Sequence, residues 1–320
     1  MDDRTVISVY IGGGTPTLYP PEAILNILSL IRRSFHLAAD AEITLEAHPA
    51  TLNPENLAQY HQGGIDRLSI GVQSFFDDDL KRLGRHHTAN ETRAAFSAAR
   101  EAGFRNISLD LIYGLPGQTQ TRWEENLHAA TVLHPEHLSL YGLSIEEGTL
   151  FHKISDDLRL PSEEEQIIQY QTAGQRLSRA GYQQYEISNF ARPDYACRHN
   201  LLYWNRGEVL GLGLAAHSYL DLTHWANPDA LHVYIDQLQA GHLRIEGIEK
   251  ISPAQARIEQ ICFGLRKTEG IPDDLYHAGA DITAQADLLI RDGLLIRDQG
   301  RARLTPRGML LVDEVVFTFA

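Results

Sequence analysis

Three consecutive glycines at residues 12–14 are the first residues whose types and spacing suggest ligand binding. They follow a β-branched segment and precede Thr15, Pro16 and a helix-patterned segment, so the order predicts a strand, a glycine turn and a helix. Because such a turn lacks side chains, its backbone N–H and C=O groups can approach a polar ligand closely. The alternative is a tight loop that needs positive φ and holds no ligand.

Polar side chains recur near the C-terminal ends of the predicted strands. Besides Gly13, they are Glu46, Gln73, Asp110 and Glu146. In a β/α barrel or partial barrel this rim is where ligands bind. Asp110 stands between two leucines, and an acid inside an apolar strand needs a partner, which predicts a ligand or an internal cation beside it.

The elements that position these residues form a repeating β/α array. Helices with apolar stripes alternate with strands predicted at residues 6–10, 42–46, 67–72, 106–113 and 137–143. Helix starts are marked by Pro21, by Asn53 before Pro54, and by Thr88. The spacing is close to the roughly 31 residues per unit of a β/α barrel, but a doubly wound open sheet gives similar spacing. The fold class is therefore α/β, with a barrel or partial barrel favoured by the polar rim.

The composition changes near residue 160, which predicts three segments. Residues 1–160 form the partial barrel, residues 161–251 a connecting region opened by a capping box of Ser162 and Glu165, and residues 252–320 a smaller α+β domain. The last segment shows helices followed by two short strands around residues 298–300, a winged-helix-like pattern. It carries no excess of basic residues, so a lid or scaffold is favoured over a DNA reader.

Composition and charge restrict the partners. The 320 residues contain 28 Lys and Arg against 42 Asp and Glu, a net charge of -14, so the general surface repels nucleic acid and anionic lipid. The N-terminus shows no signal peptide, and the apolar segment 309–320 is too short to span a bilayer, which predicts a cytoplasmic protein that is not transmembrane. Two cysteines, Cys197 and Cys262, fit a reducing compartment and cannot alone complete a cysteine-based metal site.

Five motifs in chain order carry a family resemblance. They are Gly-Gly-Gly-Thr-Pro, Thr-Leu-Glu-Ala-His-Pro, Arg-Leu-Ser-Ile-Gly-Val-Gln-Ser-Phe, Leu-Asp-Leu-Ile-Tyr-Gly-Leu-Pro-Gly and His-Asn-Leu-Leu-Tyr-Trp, at residues 12–16, 44–49, 67–75, 109–117 and 199–204. The first four closely resemble the radical S-adenosylmethionine (SAM) family of oxygen-independent coproporphyrinogen III oxidases. The fifth is similar to the His-Asn-x-x-Tyr-Trp motif of its HemW subgroup of heme chaperones. The resemblance covers nearly the whole chain from residue 5.

This resemblance implies a partial (β/α)₆ radical SAM barrel that holds S-adenosylmethionine beside a [4Fe-4S] cluster. The positions that match the cofactor contacts of the family are Gly13, Gly14, Thr15, Glu46, Gln73, Arg85 and Asp110. Carboxylates suit the cationic ends and hydroxyls of this cofactor, and a guanidinium suits its carboxylate. Without the resemblance, Arg85 is better explained as part of a solvated basic turn at residues 81–87.

The HemW-like motif implies heme contacts by His199, Asn200, Tyr203 and Trp204, with His199 as the candidate iron ligand. Imidazole is a common axial ligand of heme iron, and aromatic rings can cover a porphyrin plane. From the spacing alone, a histidine hydrogen-bonded in an aromatic core is the favoured alternative. The same two explanations apply to His217.

One part of the family pattern is absent. Members carry Cys-x-x-x-Cys-x-x-Cys on the first barrel strand and its loop, upstream of the glycine motif, and this chain has no such segment. We therefore expect a barrel that lacks its first strand and exposes a sheet edge, no cluster ligands, no binding of S-adenosylmethionine in the family manner, no catalytic residues and no catalytic activity.

Three functions follow from these observations. The preferred hypothesis is a HemW-like chaperone that binds heme and transfers it to acceptor hemoproteins, membrane respiratory enzymes among them. The alternative is an oxygen-independent coproporphyrinogen III oxidase-like enzyme of porphyrin biosynthesis, which requires the cluster. The third is a scaffold without catalysis that binds a partner through its open sheet edge.

Overall fold

The computed structural model describes residues 4–148, 150–153, 158–242, 244–277 and 279–319. Residues 1–3, on which part of the signal-peptide expectation rests, lie outside the described residues. The chain divides into two compact units, residues 1–199 and 200–320. The division into segments at residues 160 and 251 stays a prediction.

The first unit alternates strands and helices. Its strands are β1 (Thr5–Ile11), β2 (His36–Ala47), β3 (Arg67–Gln73), β4 (Asn106–Tyr113), β5 (His137–Gly142), β6 (Gln183–Gln184) and β7 (Asn189–Ala191). Its helices are α1 (Pro21–Ser34), α2 (Pro54–Gln62), α3 (Asp77–Arg82), α4 (Ala89–Glu101), α5 (Gln120–Val132), α6 (Leu150–Lys153) and α7 (Glu163–Arg179). Helix α8 (Arg198–Trp204) contains the division between the units.

Strand order separates the two folds that the sequence left open. The sheet runs β1-β2-β3-β4-β5-β7-β6, with β1 to β5 parallel and β7 antiparallel to both β5 and β6. A doubly wound sheet reverses its strand order at a switch point, whereas a barrel adds each new strand to the same side. The prediction of a partial barrel is therefore confirmed. Among the described strands, β1 pairs on one side only, with β2.

The predicted helix starts are confirmed. The Asn53 side chain accepts from the N–H of Asn56 and caps α2, and capping boxes open α4 at Thr88 and α7 at Ser162. Strand β2 begins at His36, earlier than predicted, because its first residues pair with the start of β1 across an irregularity in register. Pairing between strands thus overrides a segment of weak β propensity.

The core lies between the parallel sheet and its helices. The middle residues of β2, β3 and β4 are fully buried, among them Leu45, Leu68 and Leu109. On the helical side Trp123 of α5 is fully buried and donates from Nε1 to the carbonyl of Gln169 in α7 at 2.8 Å. This packing fixes the strand ends at which the polar side chains lie.

The second unit contains two small sheets. The first has the order β10-β9-β8, formed by β8 (His217–Leu220), β9 (Thr223–Ala226) and β10 (Glu246–Lys250), with α9 (Leu231–Gln239) between β9 and β10. The second has the order β11-β13-β12 and is accompanied by helices. Its elements are α10 (Pro253–Gly264), β11 (Ile271–Pro272), α11 (Asp273–Tyr276), α12 (Ala280–Arg291), β12 (Leu295–Asp298), β13 (Arg301–Leu304), α13 (Pro306–Leu310) and α14 (Val312–Phe317).

The predicted hairpin near residue 299 is present. Gln299 and Gly300 form the turn between β12 and β13, with φ of 49° and 74°. Positive φ at both central residues is typical of the two-residue turn that matches the twist of a hairpin. Within the described part of the chain, no helix is both long enough and apolar enough to cross a membrane.

Candidate functional site

The glycine loop after β1 is held by one carboxylate. Gly13 N donates to Glu46 Oε2 at 3.0 Å, and Tyr10 Oη donates to Glu46 Oε1 at 2.9 Å. A Cβ placed on Gly12 would lie 2.8 Å from Glu46 Cδ and 2.9 Å from Tyr10 Cε1. Only glycine fits beneath these two side chains, and the φ angles of Gly13 and Gly14, 85° and 60°, also favour glycine.

A polar cavity of about 370 Å³ lies at the C-terminal ends of the parallel strands. Six of the seven predicted cofactor contacts line it, namely Gly14, Thr15, Glu46, Gln73, Arg85 and Asp110. Gly13 joins them through its bond to Glu46. The structure thus brings together residues that stand in four separate sequence motifs and one basic turn, and their role as cofactor contacts stays a prediction.

Several lining residues were not predicted from the sequence, and Glu146, predicted at the rim, lies outside the cavity. Tyr10, His48, Ser69 and Tyr141 also line the cavity. Ser69 could have been found, because it lies four residues before Gln73 on β3 and alternate strand residues share a face. Glu146, in contrast, does not line the cavity; it is exposed and accepts a hydrogen bond from Ser144.

Asp110 lines this cavity and accepts hydrogen bonds from serine hydroxyl groups. Its Oδ1 accepts from Ser69 and Ser108, each at 3.1 Å, and its Oδ2 accepts from Ser69 at 3.0 Å. Removal from water raises the pKa of Asp110, while these hydroxyls, that of Ser139 and the charge of Arg67 oppose the rise. Arg67 thus acts on Asp110 as an internal cation, one of the two partners predicted for this residue, and the other, a ligand, stays a prediction.

Arg67 is a buried cation of the first unit. It is only 2% exposed, and its Nε has no hydrogen-bond partner among the described residues. Burial lowers the pKa of Arg67, but Cys197, Glu42 and Tyr10 together outweigh that effect and raise it. The guanidinium therefore stays charged and compensates the acidic groups around it.

Gln73 shows backbone strain at the cavity wall. Its φ is 65°, an uncommon value for a residue with a Cβ, and the register between β3 and β4 is interrupted between Ile70 and Gln73. Such interruptions re-aim side chains and are frequent next to ligand sites. The strained backbone coincides with a residue that lines the cavity, which supports a ligand-binding role.

Two neutral histidines stand beside the cavity. The N–H of Ala50 donates to His48 Nδ1 at 3.2 Å, so the remaining proton of His48 is on Nε2, which lies 3.2 Å from His87 Nδ1. His87 Nε2 in turn donates to the carbonyl of Val72 at 3.2 Å. Burial lowers the pKa of both imidazoles, with a smaller contribution from the Arg85 charge. This chain of hydrogen bonds requires both rings to be neutral.

His199 is packed against β1. Its Nδ1 lies 3.0 Å from Ser8 Oγ, and its ring stacks on Tyr10 with centroids 4.9 Å apart and an interplanar angle of 23°. Burial lowers the pKa of His199 to about 4. Glu42 holds the same segment, since its two carboxylate oxygens accept from the N–H groups of Arg198 and His199, each at 3.2 Å.

A second, apolar cavity of about 170 Å³ lies in the second unit. It is lined by three predicted heme contacts, Asn200, Tyr203 and Trp204, and by Phe263 of α10, which was not predicted from the sequence. The Trp204 and Phe263 rings are 6.4 Å apart at 64°. No periodicity could have linked Phe263 to α8, because the two are far apart in sequence. His217 is exposed on β8 and does not line this cavity.

The described residues fit S-adenosylmethionine better than they fit an iron–sulfur cluster. The polar cavity offers carboxylates, a guanidinium and the glycine backbone, which match a zwitterionic nucleoside ligand. In contrast, Cys197 donates from Sγ to Glu42, Cys262 lies on α10, and no group of three or more His, Cys, Asp or Glu in the described ranges could hold a metal ion. A [4Fe-4S] cluster takes several thiolates at one place.

Comparison with known proteins first defines the class. The radical SAM superfamily profile matches residues 2–130, and that of the HemN C-terminal domain matches residues 251–311. The structure of coproporphyrinogen III oxidase (HemN) from Escherichia coli, described as a radical SAM enzyme, superposes with a TM-score of 0.84 at 25% identity. It covers 99% of this chain and 78% of that chain. The fold is thus a radical SAM half-barrel followed by a smaller C-terminal domain.

Curated relatives then define the family. A heme chaperone HemW from Mycobacterium tuberculosis is 37% identical over 99% of this chain and 82% of its own length. HemW from Bacillus subtilis is 34% identical over 98% of this chain and 85% of its own length. HemW from Escherichia coli is 44% identical over 67% of this chain and 56% of its own length. The chain belongs to the HemW heme chaperone family, and the resemblance drawn from its motifs is confirmed.

Proposed function

We propose that this chain binds heme and transfers it to acceptor hemoproteins, with membrane respiratory enzymes among the acceptors, in the cytoplasm. The observation that carries the proposal is the aromatic cavity formed by Asn200, Tyr203, Trp204 and Phe263 in a chain of the HemW family. Flat aromatic walls suit a porphyrin, and a cavity of about 170 Å³ accommodates an edge of the macrocycle and leaves the rest outside.

His199 is the proposed iron ligand. With its pKa lowered to about 4, the imidazole is neutral at physiological pH, and a neutral imidazole is the form that coordinates iron. In the tautomer whose Nδ1 donates to Ser8 Oγ, the lone pair is on Nε2, and His199 would ligate iron through Nε2. The packing of the ring against Tyr10 equally fits the alternative of a structural histidine, so the experiment has to separate the two roles.

The polar cavity is the proposed site for S-adenosylmethionine. The backbone of Gly13 and Gly14 and the carboxylate of Glu46 would hold its ammonium group, and Arg85 would bind its carboxylate. When bound beside a cluster, this cofactor supplies radical chemistry. The described residues do not provide the ligands of such a cluster.

Hemin titration of the purified chain tests the proposal. We expect a shifted Soret band on binding, an altered band for His199→Ala, and binding about tenfold weaker for Trp204→Leu, equivalent to about 1.4 kcal/mol. His217→Ala is the matched control because His217 is exposed and lies outside the aromatic cavity. An unshifted Soret band in the unaltered chain would overturn heme binding. An unchanged band in His199→Ala, with binding intact, would assign His199 a structural role.

The second candidate, coproporphyrinogen III oxidation, is favoured by the structural likeness to HemN alone. It predicts conversion of coproporphyrinogen III to protoporphyrinogen IX that depends on S-adenosylmethionine once a segment with Cys-x-x-x-Cys-x-x-Cys is fused ahead of residue 1 and the cluster is reconstituted with iron and sulfide. Anaerobic assay of the reconstituted fusion, with product followed by fluorescence after oxidation, tests this candidate. Heme transfer is followed separately, as the appearance of the Soret band of an apo-cytochrome b incubated with the heme-loaded chain.

A further inference from the structure

Tyr10 lines the polar cavity and also contacts His199. Its hydroxyl donates to Glu46 Oε1 at 2.9 Å on the cavity side, and its ring stacks on the His199 imidazole at 4.9 Å. All three residues belong to the first unit. A single side chain therefore contacts both the acidic wall of the cavity and the proposed heme ligand.

We propose that Tyr10 is a positioning residue that couples the Glu46 carboxylate to His199. A ligand with a cationic nitrogen, such as the ammonium of a zwitterionic amino-acid derivative, would then change the environment of His199 when it binds Glu46. The consequence for heme rests on the proposed function, whereas the coupling between Glu46 and His199 does not.

The Glu46 and Tyr10 side chains are packed together over Gly12. Because a Cβ at Gly12 would come within 3 Å of both Glu46 and Tyr10, the two side chains lie tightly over the glycine. Glu46 is also tied to the loop by the N–H of Gly13. A shift of the Glu46 carboxylate toward a cation therefore strains its hydrogen bond with Tyr10. A tightly packed interior transmits such a shift to the neighbouring side chains.

Two further contacts of His199 hold its backbone and its Nδ1. The backbone of His199 is held by Glu42, and its Nδ1 by Ser8 Oγ. Ser8 and Tyr10 are two positions apart on β1 and so share one face of the strand. Displacement of the Tyr10 ring would therefore change its stacking contact with the His199 imidazole.

A double-mutant cycle in the full chain tests the coupling without any ligand. The readout is the imidazole signals of His199 in long-range ¹H–¹⁵N spectra, assigned with a His199→Asn variant. We expect Glu46→Gln to shift these signals in the unaltered chain and to leave them in place in a Tyr10→Leu background. Arg85→Gln, at another wall of the same cavity, is the matched control and leaves His199 unshifted in both backgrounds.

Two outcomes would overturn the coupling. One is a His199 signal that Glu46→Gln leaves unshifted while circular dichroism shows the fold intact. The other is an equal shift in the presence and absence of the Tyr10 side chain. Should Tyr10→Leu not fold, Tyr10→Phe closes the cycle, because it removes the bond to Glu46 and keeps the ring; the expected shift is then smaller than in the unaltered chain.

A second measurement separates this inference from the proposed function. We expect saturating S-adenosylhomocysteine to change the hemin dissociation constant by about fivefold or more in the unaltered chain, and not in Tyr10→Phe. If hemin does not bind at all, the proposed function fails, yet the spectra of the double-mutant cycle still confirm or overturn the coupling. If hemin binds and the cycle shows no coupling, the inference fails and the proposed function stands.

Discussion

The two cavities differ in how the chain builds them. The polar cavity of the first unit draws on the ends of all five parallel strands and on the loops that follow them, while the aromatic cavity of the second unit draws on α8 and α10 alone. Parallel strands present their C-terminal ends at one edge, so residues far apart in sequence converge there. The polar cavity is therefore built to hold charge in a defined geometry, and the aromatic cavity to cover an apolar surface.

The largest effect is expected on the unfolding free energy when the buried charge of Arg67 is removed. Arg67→Met leaves Glu42 and Asp110 without their buried cation, and we expect it to lower the unfolding free energy by about 3–5 kcal/mol. Urea unfolding followed by circular dichroism measures this. The exposed pair of Arg303 and Asp298 is the control, and Arg303→Met is expected to cost about 0–1 kcal/mol. Equal losses at the two sites would contradict a charge-dependent interior.

The next largest effect is expected on ligand binding, because each cavity should bind a different ligand. We expect Phe263→Ala to weaken hemin binding about tenfold, or about 1.4 kcal/mol, and to leave binding of S-adenosylhomocysteine unchanged. Arg85→Gln should do the reverse, because Arg85 lines only the polar cavity. Absorbance titration for hemin and calorimetry for the nucleoside give the two constants. If either variant weakens both ligands equally, the two cavities are not separate sites.

Backbone strain at Gln73 predicts a smaller difference. Gln73→Gly and Gln73→Ala both remove the side chain, but only glycine relieves the φ of 65°. We expect the glycine variant to be more stable than the alanine variant by about 1 kcal/mol, measured by urea unfolding. Equal stabilities would show that no strain is stored at this wall of the polar cavity.

The smallest effect is expected on the pH dependence of the unfolding free energy. Burial lowers the pKa of His48 and His87, so both are neutral in the folded chain while the unfolded chain takes up protons below about pH 6.5. The stability that these rings contribute is therefore present above that pH and is lost as the pH falls toward their folded values. We expect the unfolding free energy of His87→Gln to fall less between pH 7 and pH 5.5 than that of the unaltered chain.

The control for this measurement is His232→Gln, because His232 is exposed on α9. A His87→Gln slope equal to that of the unaltered chain would contradict the neutral histidine pair. The difference between variant and unaltered chain is the quantity to compare, since other buried groups also titrate in this range.

The sequence predicted the parallel strands and most of the polar rim because local signals mark them. Proline and capping residues mark the helix starts, and the motifs around Glu46 and Asp110 mark the strand ends. It did not predict Tyr10, His48 or Phe263 as lining residues, since their places depend on which strands and helices pack together. Spacing also could not decide between a barrel and a doubly wound sheet, which only the strand order β1-β2-β3-β4-β5 separates.

The bonds from Glu42 to the start of α8 have a consequence for the order of folding. They join residues 156 and 157 positions apart. Contacts of such sequence separation close a long loop, and that entropy has to be lost before they form. We infer that the segment of Arg198 and His199 takes its place after the intervening strands have assembled. Weakening this contact should therefore speed unfolding more than it slows folding.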